Sequence, residues 1–380
     1  MVKEKWISTH IKDIATIYGR IGFRGYTKQD IVKPGFGAIS LSPSNIKDGK
    51  VTYAPATYIS WEKYEESPEI KLTDGDVVLV KTGSTFGKTA YIDRLPWPTT
   101  LNPQIVVFKK LKIHAKLFAY FMASKNIQEQ ISAVIVGGAI PTLSQEQVYA
   151  FDIVYPPDAK EQAAIAKVLS DVDSLISSLQ KLIEKKKAIK QGAMQELLTG
   201  QKRLPGFYKE WRIVQIGETL SIGHGQSQKT VENRFGKYPI LATGGCIGYA
   251  NDFLWDKPSV LIGRKGTIDK PQYADYPFWT IDTLFYTKIF DGYDAKFIYY
   301  KFCMIDWQQY NEASGVPSLN ATTIENLQII VPEKDEQQAI AQILSDMDSE
   351  IEQLEKKLAK YQQIKQGMMQ ELLTGRIRLV

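Results

Sequence analysis

The 380-residue chain is poor in cysteine and histidine and has no long apolar run. Each scarcity excludes something. The longest apolar stretch, Ile131 to Ile140, falls far short of the roughly 20 residues a membrane helix needs. Two cysteines, Cys246 and Cys303, fit a reducing compartment. The histidines, His10, His114 and His224, are scattered with no cysteine or carboxylate at ligand spacing, so no metal site is expected. No charged-then-apolar leader opens the chain, and a cytoplasmic location is expected. What is present, 44% apolar and 23% charged residues, is the composition of a folded chain with room for two or three cores. A net charge of +5 permits an anionic partner without requiring one.

One stretch suggests nucleotide chemistry. KTGSTFGKTA, residues 81–90, follows the apolar run Val77-Val78-Leu79-Val80. A phosphate-binding loop needs four residues between its first glycine and Gly-Lys-Thr, and only three separate Gly83 from Gly87. It also needs a helix behind it, whose N-terminus holds the phosphates. Tyr91 to Pro98 carries two prolines and no helical period. The stretch does not read as a P-loop.

The strongest signal is a repeat. Residues 161–204 and 336–379 align without a gap at an offset of 175, with 27 of 44 positions identical. Each copy has an apolar stripe spaced four, three, four, three, four: Ile165, Leu169, Val172, Ile176, Leu179, Ile183, and Ile340, Leu344, Met347, Ile351, Leu354, Leu358. That heptad rhythm predicts two long helices pairing along a narrow seam as a coiled coil. Pro156-Pro157 and Pro332 stand upstream of the helices, and Gly200 and Gly375 close them. A helix over 161–198 would rise roughly 57 Å.

The segments between the helices diverge. They share landmarks only: Trp6 and Trp211 near each start, Lys81-Thr82-Gly83-Ser84 against Arg264-Lys265-Gly266-Thr267 after an apolar strand, and Gly138-Ala139-Ile140-Pro141-Thr142-Leu143 against Gly315-Val316-Pro317-Ser318-Leu319. Short β-rich runs such as 104–109 and 283–289 and one helix each, near 115–131 and 295–310, predict α+β domains. The predicted order is a globular part at 1–156, a helix at 157–204, a second globular part at 205–331 and a second helix at 332–380. The Gly-Lys-Thr of the first turn has no counterpart in the second. The cation, glycine and hydroxyl common to both suit one backbone phosphate of a nucleic acid.

This arrangement resembles the specificity subunit of type I restriction–modification enzymes. The resemblance rests on the runs beginning Pro157 and Pro332, each Pro-x-x-x-Glu-Gln-x-x-Ile-Ala-x-x-Leu. It rests also on Gln-Glu-Leu-Leu-Thr-Gly at 195–200 and 370–375 and on the Gly-x-x-Pro-Thr/Ser-Leu landmarks. It implies two target recognition domains, each reading half of a split site in double-stranded DNA. Antiparallel helices would set the gap and dock two DNA adenine methyltransferase subunits, to which a motor and nuclease subunit can be added. It implies no active site and no bound cofactor in this chain; S-adenosylmethionine, ATP and Mg serve the partners. The Asn/Asp-Pro-Pro-Tyr/Phe loop of an adenine methyltransferase is indeed missing, the nearest string being Tyr155-Pro156-Pro157-Asp158.

The family transfers no list of base contacts, so candidates come from chemistry. Lys81, Thr82, Ser84, Lys88, Arg264, Lys265 and Thr267 suit phosphates. Arg20, Arg24, Asn102, Gln104, Gln226 and Gln228, in polar glycine-containing stretches, suit base edges. Thr243 opens a Thr-Gly-Gly turn that permits close backbone approach. The rival from another class is a coiled-coil scaffold that binds proteins and reads no DNA; a nucleotide-binding enzyme using the 83–89 turn is a weaker one.

Overall fold

A computed structural model describes residues 5–134 and 142–379. Contacts group the chain into two units, residues 1–178 with 358–380, and residues 179–357. Each unit takes one globular part and a piece of both long helices, Ala159–Leu198 and Lys334–Leu372.

In the first unit, one sheet runs Thr16–Gly19, Ile105–Lys109, Val77–Val80, Thr89–Tyr91, and a second runs Thr99–Leu101, Gly37–Leu41, Thr57–Ser60, Ile31–Val32. In the second unit, the matching sheets are Leu220–Gly223, Leu284–Ile289, Ser259–Gly263, Gln272–Ala274 and Gly245–Ala250, Tyr238–Ala242, Trp279–Thr280. Both second sheets carry a parallel pair, Gly37–Leu41 with Thr99–Leu101 and Tyr238–Ala242 with Trp279–Thr280. A separate strand pair closes each globular part, Ile7–His10 with Asp152–Tyr155 and Arg212–Gln215 with Gln328–Val331. The topology thus repeats where the sequence has diverged. The architecture is α+β in both units.

The helices expected over 115–131 and 295–310 are each broken. Ala115–Met122 and Lys125–Ala133 meet at Ser124, whose extended backbone starts the second helix. The Gln128 amide donates to the carbonyl of Met122, occupying a group the first helix leaves open. In the second unit Ala295–Met304 ends before a short 3₁₀ turn, Trp307–Tyr310, opened by the Asp306 side chain. Gly200 and Gly375 adopt φ of +74° and +71°, the left-handed caps that end the long helices. The Gly138–Pro141 landmark lies outside the described residues; Thr142 and Leu143 are within them.

The repeated segment explains itself through its contacts. In the first unit Glu161 is 1% exposed and accepts both guanidinium arms of Arg378. In the second, Glu336 accepts Arg203 through two hydrogen bonds of 2.8 Å. Tyr120 donates to Asp173 at 2.7 Å, and Lys365 pairs with the other oxygen at 2.6 Å. Tyr300 donates to Asp348 at 2.7 Å, and Lys190 pairs with it likewise. Burial, then the carboxylate, pushes both tyrosine hydroxyls well above the usual phenol range. Gln162 holds the Pro156 carbonyl and the His114 N–H; Gln337 holds the Pro332 carbonyl and the Asp294 N–H. Every partner on a long helix lies 175 positions from its counterpart. These positions, identical in the two copies, join one globular part to the head of its own helix and the tail of the other. The order of the partners makes the helix segments antiparallel within each unit.

The apolar stripe divides accordingly. Ile165 and Leu169, with Leu372 and Leu373, enter the core of the first globular part; Ile340 and Leu344, with Leu197 and Leu198, enter that of the second. Leu179, Ile183 and Ile351 are buried, while Val172, Ile176, Met347, Leu354 and Leu358 are half-buried. The stripe is therefore a core anchor at the start of each helix and a seam beyond it.

One joint differs between the units. Six residues into the helix Ala295–Met304 stands Lys301, 9% exposed, donating to the carbonyl of Leu198 at 3.0 Å. The same place in Ala115–Met122 holds Phe121, edge-on to Trp6. Burial pushes the Lys301 ammonium down to about 8 from 10.5. Between those values the unfolded chain holds a proton that the folded chain lacks, so folding gains as pH rises. About 2 kcal/mol of stability should return between pH 7 and 9.5. Thermal unfolding of the native chain and Lys301→Met at both pH values checks this. Equal pH dependence in the two would contradict the desolvation argument.

Candidate nucleic-acid interface

Residues 81–90 form a β-hairpin. Strand Val77–Val80 runs into a turn and returns as Thr89–Tyr91, antiparallel, with Val78 opposite Ala90. Glycines 83 and 87 take φ of +102° and +82°. No helix follows, which removes the phosphate-loop geometry. Closing the hairpin also spends backbone donors: the N–H groups of Phe86, Gly87 and Lys88 bond to the carbonyls of Gly83, Val80 and Thr85. Those three N–H groups are therefore closed to a phosphate. Side chains remain: Ser84 and Lys88 are exposed, Lys81 and Thr82 half-buried.

The shared landmarks meet in space. In the first unit Leu143 donates to the Lys81 carbonyl at 2.8 Å, and the Thr82 and Thr142 hydroxyls lie 2.7 Å apart. In the second, Leu319 donates to the Arg264 carbonyl at 2.9 Å and Gly266 to that of Pro317 at 2.8 Å. Lys81 and Arg264 each donate backbone N–H to the segment entering the neighbouring strand, at Gln104 and Thr283. Two strand-end turns are thus built to one plan, each braced by a later segment, Thr142-Leu143 or Ser318-Leu319. Lys265 is exposed, and Arg264 and Thr267 are half-buried, with an Arg264 arm on the Asp282 carbonyl at 3.3 Å.

The structure brings some other candidates to these turns and withdraws others. A Cβ on Gly83 would lie 3.2 Å from the Gln104 amide nitrogen, so that side chain covers the first turn. Thr243 stands at the second, its hydroxyl 3.6 Å from where a Cβ on Gly266 would be. Gln226 is exposed, on backbone fixed by Thr280 and by the Trp279 indole; Gln228 is half-buried at the start of a 3₁₀ turn. Arg20 is a correction. Its stretch reads as an exposed loop, but the residue is 4% exposed and its guanidinium bonds to the Leu101 and Arg24 carbonyls and the Thr100 hydroxyl. Those bonds bind the two sheets of the first unit and leave no fork for a base. Arg24 is half-buried beside Glu69, 3.5 Å away. Asn102 spends its amide on the Tyr26 hydroxyl and its oxygen on the Gln104 N–H, so it shapes the loop.

Two exposed side chains escape the sequence reading, Phe36 and Phe235, at 71% and 90% exposure. Their signal is present as Lys-Pro-Gly-Phe-Gly and Asn-Arg-Phe-Gly-Lys: turn residues around an aromatic.

Among known proteins, residues 3–191 and 208–366 each match the type I restriction modification DNA specificity domain. The MjaVIII type I restriction enzyme specificity subunit of Methanocaldococcus jannaschii is 26% identical, over 82% of this chain and 81% of its own length. In fold, the crystal structure of the type I restriction–modification S subunit from M. genitalium superposes with a TM-score of 0.68 at 17% identity, covering 97% of this chain and 96% of that one. A chain from a structure of type I system assembly and conformational transition gives 0.54 at 16% identity. Matched twice over most of its length, this chain belongs to the type I restriction modification DNA specificity domain family, with two copies of the domain in tandem.

Proposed function

We propose that this chain is the non-catalytic specificity subunit of a type I complex. Each globular part reads one half of a split, asymmetric DNA site. The helix pair sets the gap and docks two copies of an adenine methyltransferase, whose S-adenosylmethionine this chain does not bind; ATP and Mg serve a motor subunit where one joins. The observation that carries this reading is the pair of mounts 175 residues apart. Equivalent joints hold two divergent globular parts, which is what reading two different half-sites from a common frame requires. The near-identical helices offer two equivalent docking surfaces by the same logic.

The scaffold rival is separated by salt. Binding of the chain with its methyltransferase partner to duplex DNA should weaken steeply as salt rises, because each phosphate contact releases a counterion. Lys88→Ala and Lys265→Ala should each flatten the slope of log K against log salt by about 0.9. Binding indifferent to salt would leave the scaffold as the better account.

A further inference from the structure

We infer that Phe36 and Phe235 are wedges that enter the DNA stack, one per half-site; the inference rests on the DNA-reading function proposed above. Both side chains stand on hydrogen-bonded turns. Lys33 to Phe36 is a turn closed by the Phe36 N–H on the Lys33 carbonyl at 3.1 Å, with Pro34 and then Gly35 at φ +86°, a type II pattern. The following residue is pinned twice. A Cβ on Gly37 would lie 1.9 Å from the Ile59 carbonyl oxygen, and the Trp97 indole donates to the Gly37 carbonyl at 2.8 Å.

In the second unit Asn233 accepts the Phe235 N–H through its side chain at 2.9 Å and the Gly236 N–H through its carbonyl at 2.8 Å. Asn233 is itself tied to the Tyr249 carbonyl, and a Cβ on Gly236 would lie 2.5 Å from the Ala250 backbone. A phenyl ring exposed at the tip of a braced turn, at the head of the corresponding strand in both units, has the placement of an apolar wedge.

The partner's chemistry follows from the neighbours. Lys33 is exposed beside Phe36, and Arg234 and Lys237 are exposed on either side of Phe235. A ring flanked by cations suits a polyanion that has flat apolar faces inside, which is duplex DNA. Placement supports this in both units. Each turn leads into the strand that carries the parallel pair, Gly37–Leu41 or Tyr238–Ala242. At the far end of that strand lie Asn102, bonded to the Leu41 carbonyl, and Thr243, beside Gly266. Five strand residues span about 17 Å, the rise of about five base pairs. In each unit, then, a wedge stands at one end of a strand and the loop or turn of the phosphate and base candidates at the other.

The test uses the chain assembled with its methyltransferase partner and a duplex carrying the site methylated in the host, with 2-aminopurine placed in turn at positions other than the methylated adenines. Unstacking raises its fluorescence. The native complex should brighten one step in each half-site. Phe36→Ala should abolish the signal in one half only and Phe235→Ala in the other, each weakening binding about tenfold, while Phe→Leu at either position keeps the signal. The salt slope should not change, since phenylalanine carries no charge. Both residues are exposed, so unchanged thermal unfolding excludes a folding defect. Native-like fluorescence and affinity in both alanine variants would overturn the inference. So would lost assembly with the partner at unchanged DNA affinity, which would make these rings protein contacts. A native complex with no salt-dependent DNA binding would instead sink the function proposed above, and this inference with it.

Discussion

Exchanging residues 205–331 for the corresponding part of another such subunit is expected to change one half of the methylated site and leave the other half and the gap as they were. The expectation comes from the joints. Arg203 and Gln337 hold the second globular part by contacts that the first repeats with Arg378 and Gln162, and the two arginines lie over the Trp211 and Trp6 rings. A foreign domain with the same joint residues should dock on the same helix ends. The effect is all-or-none at the exchanged half, since each mismatched base pair costs about 1–3 kcal/mol and several would change together. Methylation mapping reads it. A site unchanged in both halves would refute the domain assignment, and a site changed in both would refute the independence of the units.

The second large effect concerns the gap. One heptad inserted into each long helix, after Ser178 and after Lys357, should lengthen the gap between unchanged half-sites. These points fall where one unit gives way to the other, so neither insertion interrupts the contacts within a unit. Seven residues add about 10 Å of helix, the rise of about three base pairs, and a whole heptad keeps the apolar stripe on one face. Altered half-sites would contradict the spacer role proposed for the helices. The same gap after insertion would contradict it equally.

How much of this was legible depended on whether a feature was repeated. The long helices, their caps at Gly200 and Gly375 and their apolar stripe carry local signals written twice, 175 residues apart. The division of that stripe was hidden. Ile165 and Leu169 are spaced as Leu179 and Ile183 are, and that spacing is the same whether a residue faces a partner helix or a domain core. Only the burial of Ile165 and Leu169 among the first unit's core residues separates the two cases. The hairpin at 81–90 was half legible. The missing fourth residue and the prolines that follow argue against a phosphate loop, whereas the spending of its N–H groups depends on the pairing with Thr89–Tyr91. Arg20 misled because a polar, glycine-containing stretch reads as surface, and burial among Leu101, Thr100 and Arg24 depends on strands some 80 residues away. Lys301 was illegible for the same reason, since its acceptor lies 103 positions off.

The measurement that tests the central claim most directly is base-resolved methylation of the host genome with and without this gene. The account predicts that methyladenine at one asymmetric split motif disappears with the gene and returns when it is restored. An unchanged pattern, with the chain expressed and bound to its methyltransferase, would contradict it.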